Sequence, residues 1–237
     1  MRAINCRRFL RQVWNLTSIA VFAFALAFTL ASTQARAQLA VGKDYLAITP
    51  PQPTPPGKNI EMLEFFWYAC PHCDHLQPAM RAWLKNKPAD VAFRNQPAAF
   101  DESWTQLART FYALDAAGTL EKLHPEVFAA IHKSKKLDPR ALTKDPKTLF
   151  AWMGDQKQDV KKFTDAYNSF SVVSKTNRTV DITSAYGVTG TPAIAIDGRY
   201  LIAPGMVPSK NNGVDYELFF KNVDQLIAMA RANRKGK

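Results

Sequence analysis

Cysteine is scarce in this 237-residue chain: Cys6, Cys70 and Cys73 are the only thiols. Acid is absent from the start, since no Asp or Glu precedes Asp44. No apolar run is long enough to cross a bilayer comfortably; the longest, Ile19 to Ala31, is 13 residues, against about 20 for a spanning helix. There is no basic stripe with interleaved aromatics, so nothing favours nucleic acid as a partner. No second CxxC and no HxxxH is present, which leaves a tetrahedral zinc site without its full ligand set.

What is present at the amino terminus explains several of these absences. Arg2, Arg7, Arg8 and Arg11 precede the short apolar run, and Ala35-Arg36-Ala37 offers small residues at the two positions a signal peptidase reads. Residues 1–37 are expected to be a cleaved signal peptide, with an uncleaved anchor as the alternative. Removing them lowers the formal net charge from +11 to +6 and discards Cys6. The remaining chain of about 200 residues then keeps one adjacent pair of cysteines. It is long enough to bury a core without staples. Closing so short a loop contributes only about 2 kcal/mol in the chain-entropy account, so a purely structural disulfide is a weak explanation.

The surroundings of the pair are informative. Ile60 to Tyr68 is nearly continuous in apolar character, as a central strand buried on both faces should be. Cys70-Pro71-His72-Cys73 follows at once, and Leu76, Met80, Trp83 and Leu84 then share a helical face. Cys70 thus stands at a strand-to-helix junction, where unpaired amides and the helix dipole favour an anion. Pro71 suits the first helical position. His72, as a cation or hydrogen-bond donor, favours the Cys70 thiolate. Each unit by which a thiol pKa falls is about 1.4 kcal/mol of preference for the thiolate, or about 30 mV of oxidising power for a two-electron couple. A haem attachment site is excluded because Asp74, not His, follows the second cysteine.

Glu64 interrupts the apolar strand, and a buried carboxylate is costly unless it is used or paired. Arg94, on a predicted strand at Val91–Arg94, is a candidate partner for it. A proline-rich connector, Pro50 to Gly57, precedes the central strand, and a short strand is expected near Tyr45 to Ile48. From Asp101 to about Asn177 the pattern is helical, with Gly118 as a helix stop. A helix over Val180–Tyr186, a strand at Ala193–Ile196, an Asp197-Gly198 hairpin turn and a closing helix over Leu218–Ala230 complete the order. His75, His124 and His132 read as ordinary helix-surface residues.

Glu64-Phe65-Phe66, then Cys70-Pro71-His72-Cys73, the helical block and Gly190-Thr191-Pro192-Ala193 together resemble the DsbA family of periplasmic dithiol oxidases. The resemblance implies an α/β thioredoxin-like fold, residues 38–100 and 178–237, with an inserted α-helical domain at 101–177. It implies a redox-active Cys70–Cys73 disulfide in which Cys70 is the solvent-facing attacking thiol and Cys73 the buried resolving one. Pro192 matches the family's cis-proline facing the cysteines, and Glu64 an acid that handles the proton of the second cysteine. Thr191 departs from the valine of many oxidases and is similar to the threonine of isomerases. No metal or other cofactor is implied. Implied partners are exported proteins with free thiols and a DsbB-like membrane quinone reductase, and a periplasmic monomer is expected. A reductase or isomerase of the same superfamily, and a non-catalytic peptide-binding chaperone, remain the rival readings.

Overall fold

The computed structural model describes residues 38–235; the expected signal segment lies outside the described residues. Five strands form one mixed sheet in the order β1-β5-β4-β2-β3. They are β1 (Leu46–Ala47), β2 (Ile60–Phe66), β3 (Val91–Pro97), β4 (Ala193–Ile196) and β5 (Tyr200–Ile202). The central strand β2 lies parallel to β3 and antiparallel to β4. All seven of its residues are buried, which is why its sequence shows no clean apolar–polar alternation.

Helix α1 (Pro71–Lys85) links β2 to β3 and buries Cys73, Leu76, Gln77 and Met80. On one face of the sheet, α1 and the closing helix α9 (Tyr216–Lys235) enclose Met62, Leu76, Met80, Ile194, Phe219, Val223 and Ile227. On the other face Leu63, Phe65, Ala195 and Leu201 pack with Tyr186 and Val188. Full burial of a Leu, Ile, Val, Phe or Met side chain contributes roughly 1.5–3 kcal/mol.

Between β3 and β4 the chain is helical: α2 (Glu102–Ala116), α3 (Leu120–Phe128), α4 (Pro139–Leu142), α5 (Lys147–Asp155), α6 (Val160–Tyr167), α7 (Phe170–Asn177) and α8 (Thr179–Ala185). Asp101, Asp138, Asp159 and Ser169 cap four of these helices through side-chain bonds to backbone N–H groups. A π-helical turn, Ala129–Lys133, continues α3, an irregularity that the apolar stripe did not foretell. The helical core reaches the redox motif: Phe66, Tyr68, Cys70 and Cys73 cluster with Leu107, Phe111, Leu123 and Phe128.

Several boundaries move relative to the sequence reading. β2 ends at Phe66, β3 runs on to Pro97, and α9 extends beyond the expected span at both ends. The Asp197-Gly198 turn joins β4 to β5 with both residues at positive φ, 54° and 63°. A side chain at Gly198 would lie 2.1 Å from the Gln52 carbonyl, so only glycine fits where the proline connector crosses the hairpin. Among the described residues no helix is long and apolar enough to cross a membrane.

Candidate active site

The end of β2 and the start of α1 set the two thiols in different surroundings. Cys70 is the N-cap of α1, with extended backbone at φ −80° and ψ 115°, and Pro71 occupies the first helical turn where its missing N–H is not needed. The Cys70 carbonyl accepts from the Cys73 N–H at 3.1 Å, closing the first turn of the helix. Both thiols are free. Cys70 is 8% exposed and Cys73 fully buried. The expected contrast between an open thiol and a buried one is thus narrower than the resemblance implied.

The Cys70 Sγ lies 3.3 Å from the Thr191 carbonyl oxygen, to which the neutral thiol donates. The Thr191–Pro192 bond is cis. A second cis bond, Thr49–Pro50 in the connector, was not foreseen. The Cys70 thiol is pulled down from 9.0 to about 5, first by the hydrogen bond from the Cys73 thiol. Burial opposes this, and the Thr191 side chain and the backbone N–H groups of Cys73 and His72 add to it. The Cys73 thiol moves the other way, driven well above its ordinary value by burial, then by the hydrogen bond to Cys70 and the charge on Cys70. The pair therefore holds its negative charge on Cys70 and its proton on Cys73.

His72 is exposed, and its ring centroid stands 6.3 Å from that of His75, also exposed. With Thr191 and Pro192 it borders a groove of about 420 Å³ whose walls include Leu46, Met206 and Tyr216. The groove offers apolar contact beside His72 and Thr191.

Glu64 is fully buried. Burial raises its carboxyl from 4.5 to about 8, against a smaller lowering by the Gln77 hydrogen bond. Its charge is among the influences raising Cys73. Arg94 is not its partner. Arg94 pairs with Glu61, because successive residues of a strand face opposite sides and Arg94 shares its side with Glu61. Asn95, opposite Glu64 in the parallel register, donates to Glu64 Oε2 at 3.3 Å, while Gln77 Nε2 donates to Oε1 at 3.2 Å.

Two histidines expected on the helix surface are instead half-buried and bonded to this region. His124 Nε2 is 3.0 Å from Asn95 Nδ2, and its Nδ1 is 2.9 Å from the Tyr68 hydroxyl. The rings of Phe66, Phe111 and Phe128 stand around the imidazole, whose pKa burial lowers from 6.5 to about 4. His132, on the π-helical turn, bonds the Tyr68 carbonyl at 2.8 Å. A signal for His124 existed: it stands three and four residues before Val127 and Phe128, on the apolar stripe rather than opposite it. His75 is exposed, as expected.

Residues 61–212 match the family of DSBA-like thioredoxin domains. A thiol:disulfide interchange protein DsbA from Bordetella parapertussis is 37% identical over 222 residues, covering 93% of this chain and 99% of that protein. The DsbA of Burkholderia cepacia is 36% identical over 196 residues, 82% of this chain and 90% of that one. Among solved structures, Pseudomonas aeruginosa DsbA superposes with a TM-score of 0.72 at 32% identity, covering 83% of this chain and 97% of its own. The oxidoreductase DsbA of Xylella fastidiosa also reaches 0.72, at 28% identity, with 82% and 98% covered. The sheet with its helical insertion agrees with these likenesses, and the chain belongs to the DSBA-like thioredoxin-domain family.

Proposed function

We propose that the protein is a periplasmic thiol:disulfide oxidoreductase that passes a Cys70–Cys73 disulfide to newly exported proteins. The observation that carries this reading is the opposed proton affinity of the two sulfurs, with Cys70 favoured as thiolate and Cys73 as thiol. A site that prefers the reduced, charged state is a strong electron acceptor.

The roles follow from position. A client thiolate attacks the Cys70 sulfur, the Cys70–Cys73 bond breaks, and a client–Cys70 mixed disulfide forms. Cys73 departs as a thiolate and takes the proton of Glu64, which is largely neutral at pH 7. A second client thiolate then attacks the client sulfur of the mixed disulfide, and Cys70 leaves as a stable thiolate. The client loses two electrons and the cysteine pair gains them. Pro71 starts the helix, His72 favours the Cys70 thiolate, and Thr191 and Pro192 hold the client chain against the groove. Reoxidation falls to a DsbB-like membrane quinone reductase, and the protein works as a monomer. The signal peptide is residues 1–37, and residues 101–177 form the domain inserted between the two thioredoxin-like segments, 38–100 and 178–237.

Alkylation of thiols in intact exporting cells tests the direction of flow. Mostly disulfide-bonded Cys70 and Cys73 support the oxidase, whereas a mostly reduced pair overturns it in favour of a reductase or isomerase. Client binding that survives loss of both cysteines, without turnover in the intact protein, makes it a peptide-binding chaperone instead.

A further inference from the structure

The polar chain behind the cysteines has a property its individual bonds do not reveal. Asn95 presents one end of its side-chain amide to two acceptors, Glu64 Oε2 at 3.3 Å and His124 Nε2 at 3.0 Å. With the amino group there, each of its two hydrogens has a partner, provided that Glu64 is ionised and Nε2 is bare. The neutral imidazole then carries its hydrogen on Nδ1 and donates to the Tyr68 oxygen, 2.9 Å away.

Protonation of Glu64 on Oε2 breaks this arrangement by setting an O–H against an N–H. One rearrangement restores it. Half a turn of the Asn95 amide brings its carbonyl to face both neighbours, accepting from the Glu64 O–H and from a His124 Nε2–H, while His124 Nδ1 accepts from Tyr68. Asn95 is free to turn because it is half-buried and borders a cavity of about 480 Å³; Gln77, the other amide on Glu64, is buried. The groups facing the chain are Cys73 and Gln77 from α1, Asn95 from β3, Tyr68 from the segment after β2, and His132 beside the Tyr68 carbonyl, while Asp115, Lys175 and Arg178 line the cavity that Asn95 borders. Arg94 is engaged with Glu61.

We propose that His124 and Asn95 are positioning residues that switch together with Glu64, the imidazole exchanging Nδ1–H for Nε2–H as the acid gains its proton. His124 suits the role because a neutral imidazole can either donate or accept at Nε2, which neither a phenyl ring nor a fixed cation can do. The contacts of Asn95 with Glu64 and with His124 Nε2 then each set a donor against an acceptor before and after the proton passes between Glu64 and Cys73. The inference rests on the exchange role proposed for Glu64.

The test uses the full chain after removal of residues 1–37. Long-range 1H–15N spectra of His124 across the Glu64 titration should show the Nδ1–H tautomer above the midpoint and Nε2–H below it. His124→Phe keeps a ring among Phe66, Phe111 and Phe128 but removes the acceptor at Nε2. It leaves an Asn95 N–H unpaired only when Glu64 is ionised, so the Glu64 midpoint should rise by about one unit. The double variant Tyr68→Phe/His124→Phe avoids stranding the phenol and should show the same rise, read from the carboxyl 13C shift. A single tautomer throughout the titration, or an unchanged midpoint in both variants, overturns the proposal. Oxidation of a reduced client peptide by the unaltered protein is measured alongside. If that fails while the tautomer still follows Glu64, the oxidase reading falls and the switch stands.

Discussion

Cys70 and Cys73 are one helical turn apart, yet the mouth of the site and its floor treat a proton in opposite ways. At the mouth, the Cys73 thiol, the Thr191 side chain and first-turn amides of α1 converge on one sulfur and hold it as an anion. At the floor, Cys73 and Glu64 meet almost only buried apolar surface and neutral amides, and both keep their protons. At Cys70 the hydrogen bonds aimed at the sulfur outweigh its burial. At Cys73 and Glu64 desolvation governs, and it favours whichever form is neutral.

The sharpest break in this comparison comes from the sulfurs themselves. Cys70→Ser should abolish client oxidation and adduct formation alike, whereas Cys73→Ala should trap mixed disulfides visible on non-reducing gels. Adducts formed by Cys70→Ser would reverse the assignment. Next in size is Glu64→Gln, which removes the floor's acid. Client oxidation should slow by about 100-fold, the lower end of general acid–base effects, in stopped-flow fluorescence. The same variant should be more stable. A raised carboxyl favours the fold below its unfolded value of 4.5, and that advantage is lost as pH rises through about 8. At pH 7 the native acid thus costs about 3 kcal/mol that glutamine avoids, a difference denaturant melts can read.

A smaller effect separates the redox forms. The depressed Cys70 pKa contributes stability that is fully present above the unfolded value near 9 and lost as pH falls through about 5. Only the reduced protein has this thiolate. Its stability relative to the oxidised protein should therefore rise between pH 5 and 9, by at most about 1.4 kcal/mol per unit, be level below that window, and fall above it, where an unfolded Cys73 ionises but the buried one keeps its proton. A flat difference in paired urea melts would show that the mouth does not hold a thiolate. The least effect is expected from His72→Leu, since the imidazole is exposed. Loss of its polar ring should raise the Cys70 pKa by about one unit, followed by thiolate absorbance at 240 nm.

Much of the mouth was legible along the chain because it is local. Strand, Cys70, Pro71 and helix are consecutive, and the helix start that polarises Cys70 is written within four residues. Glu64 was noticeable as a charge out of place in an apolar strand. Its partners were not. Arg94 looked suitable by charge, but strand alternation turns it to Glu61 and brings its neighbour Asn95 to Glu64. Gln77 is an unremarkable polar residue in a helix, and His124 reaches Glu64 through Asn95 from 60 positions away.

By itself, then, the sequence determined the order of elements, the place of the cysteine pair at the head of a helix and the Asp197-Gly198 hairpin turn. These depend on hydrophobic period, helix-end chemistry and backbone sterics, all short-range properties. Tertiary structure alone decided how the Thr191 carbonyl meets Cys70, which amides hold Glu64, and that His124 and Tyr68 complete its chain. Those outcomes depend on strand register and on how the helical block packs against β2. Register is set by which faces the whole molecule can bury, and no local stretch of residues contains that information.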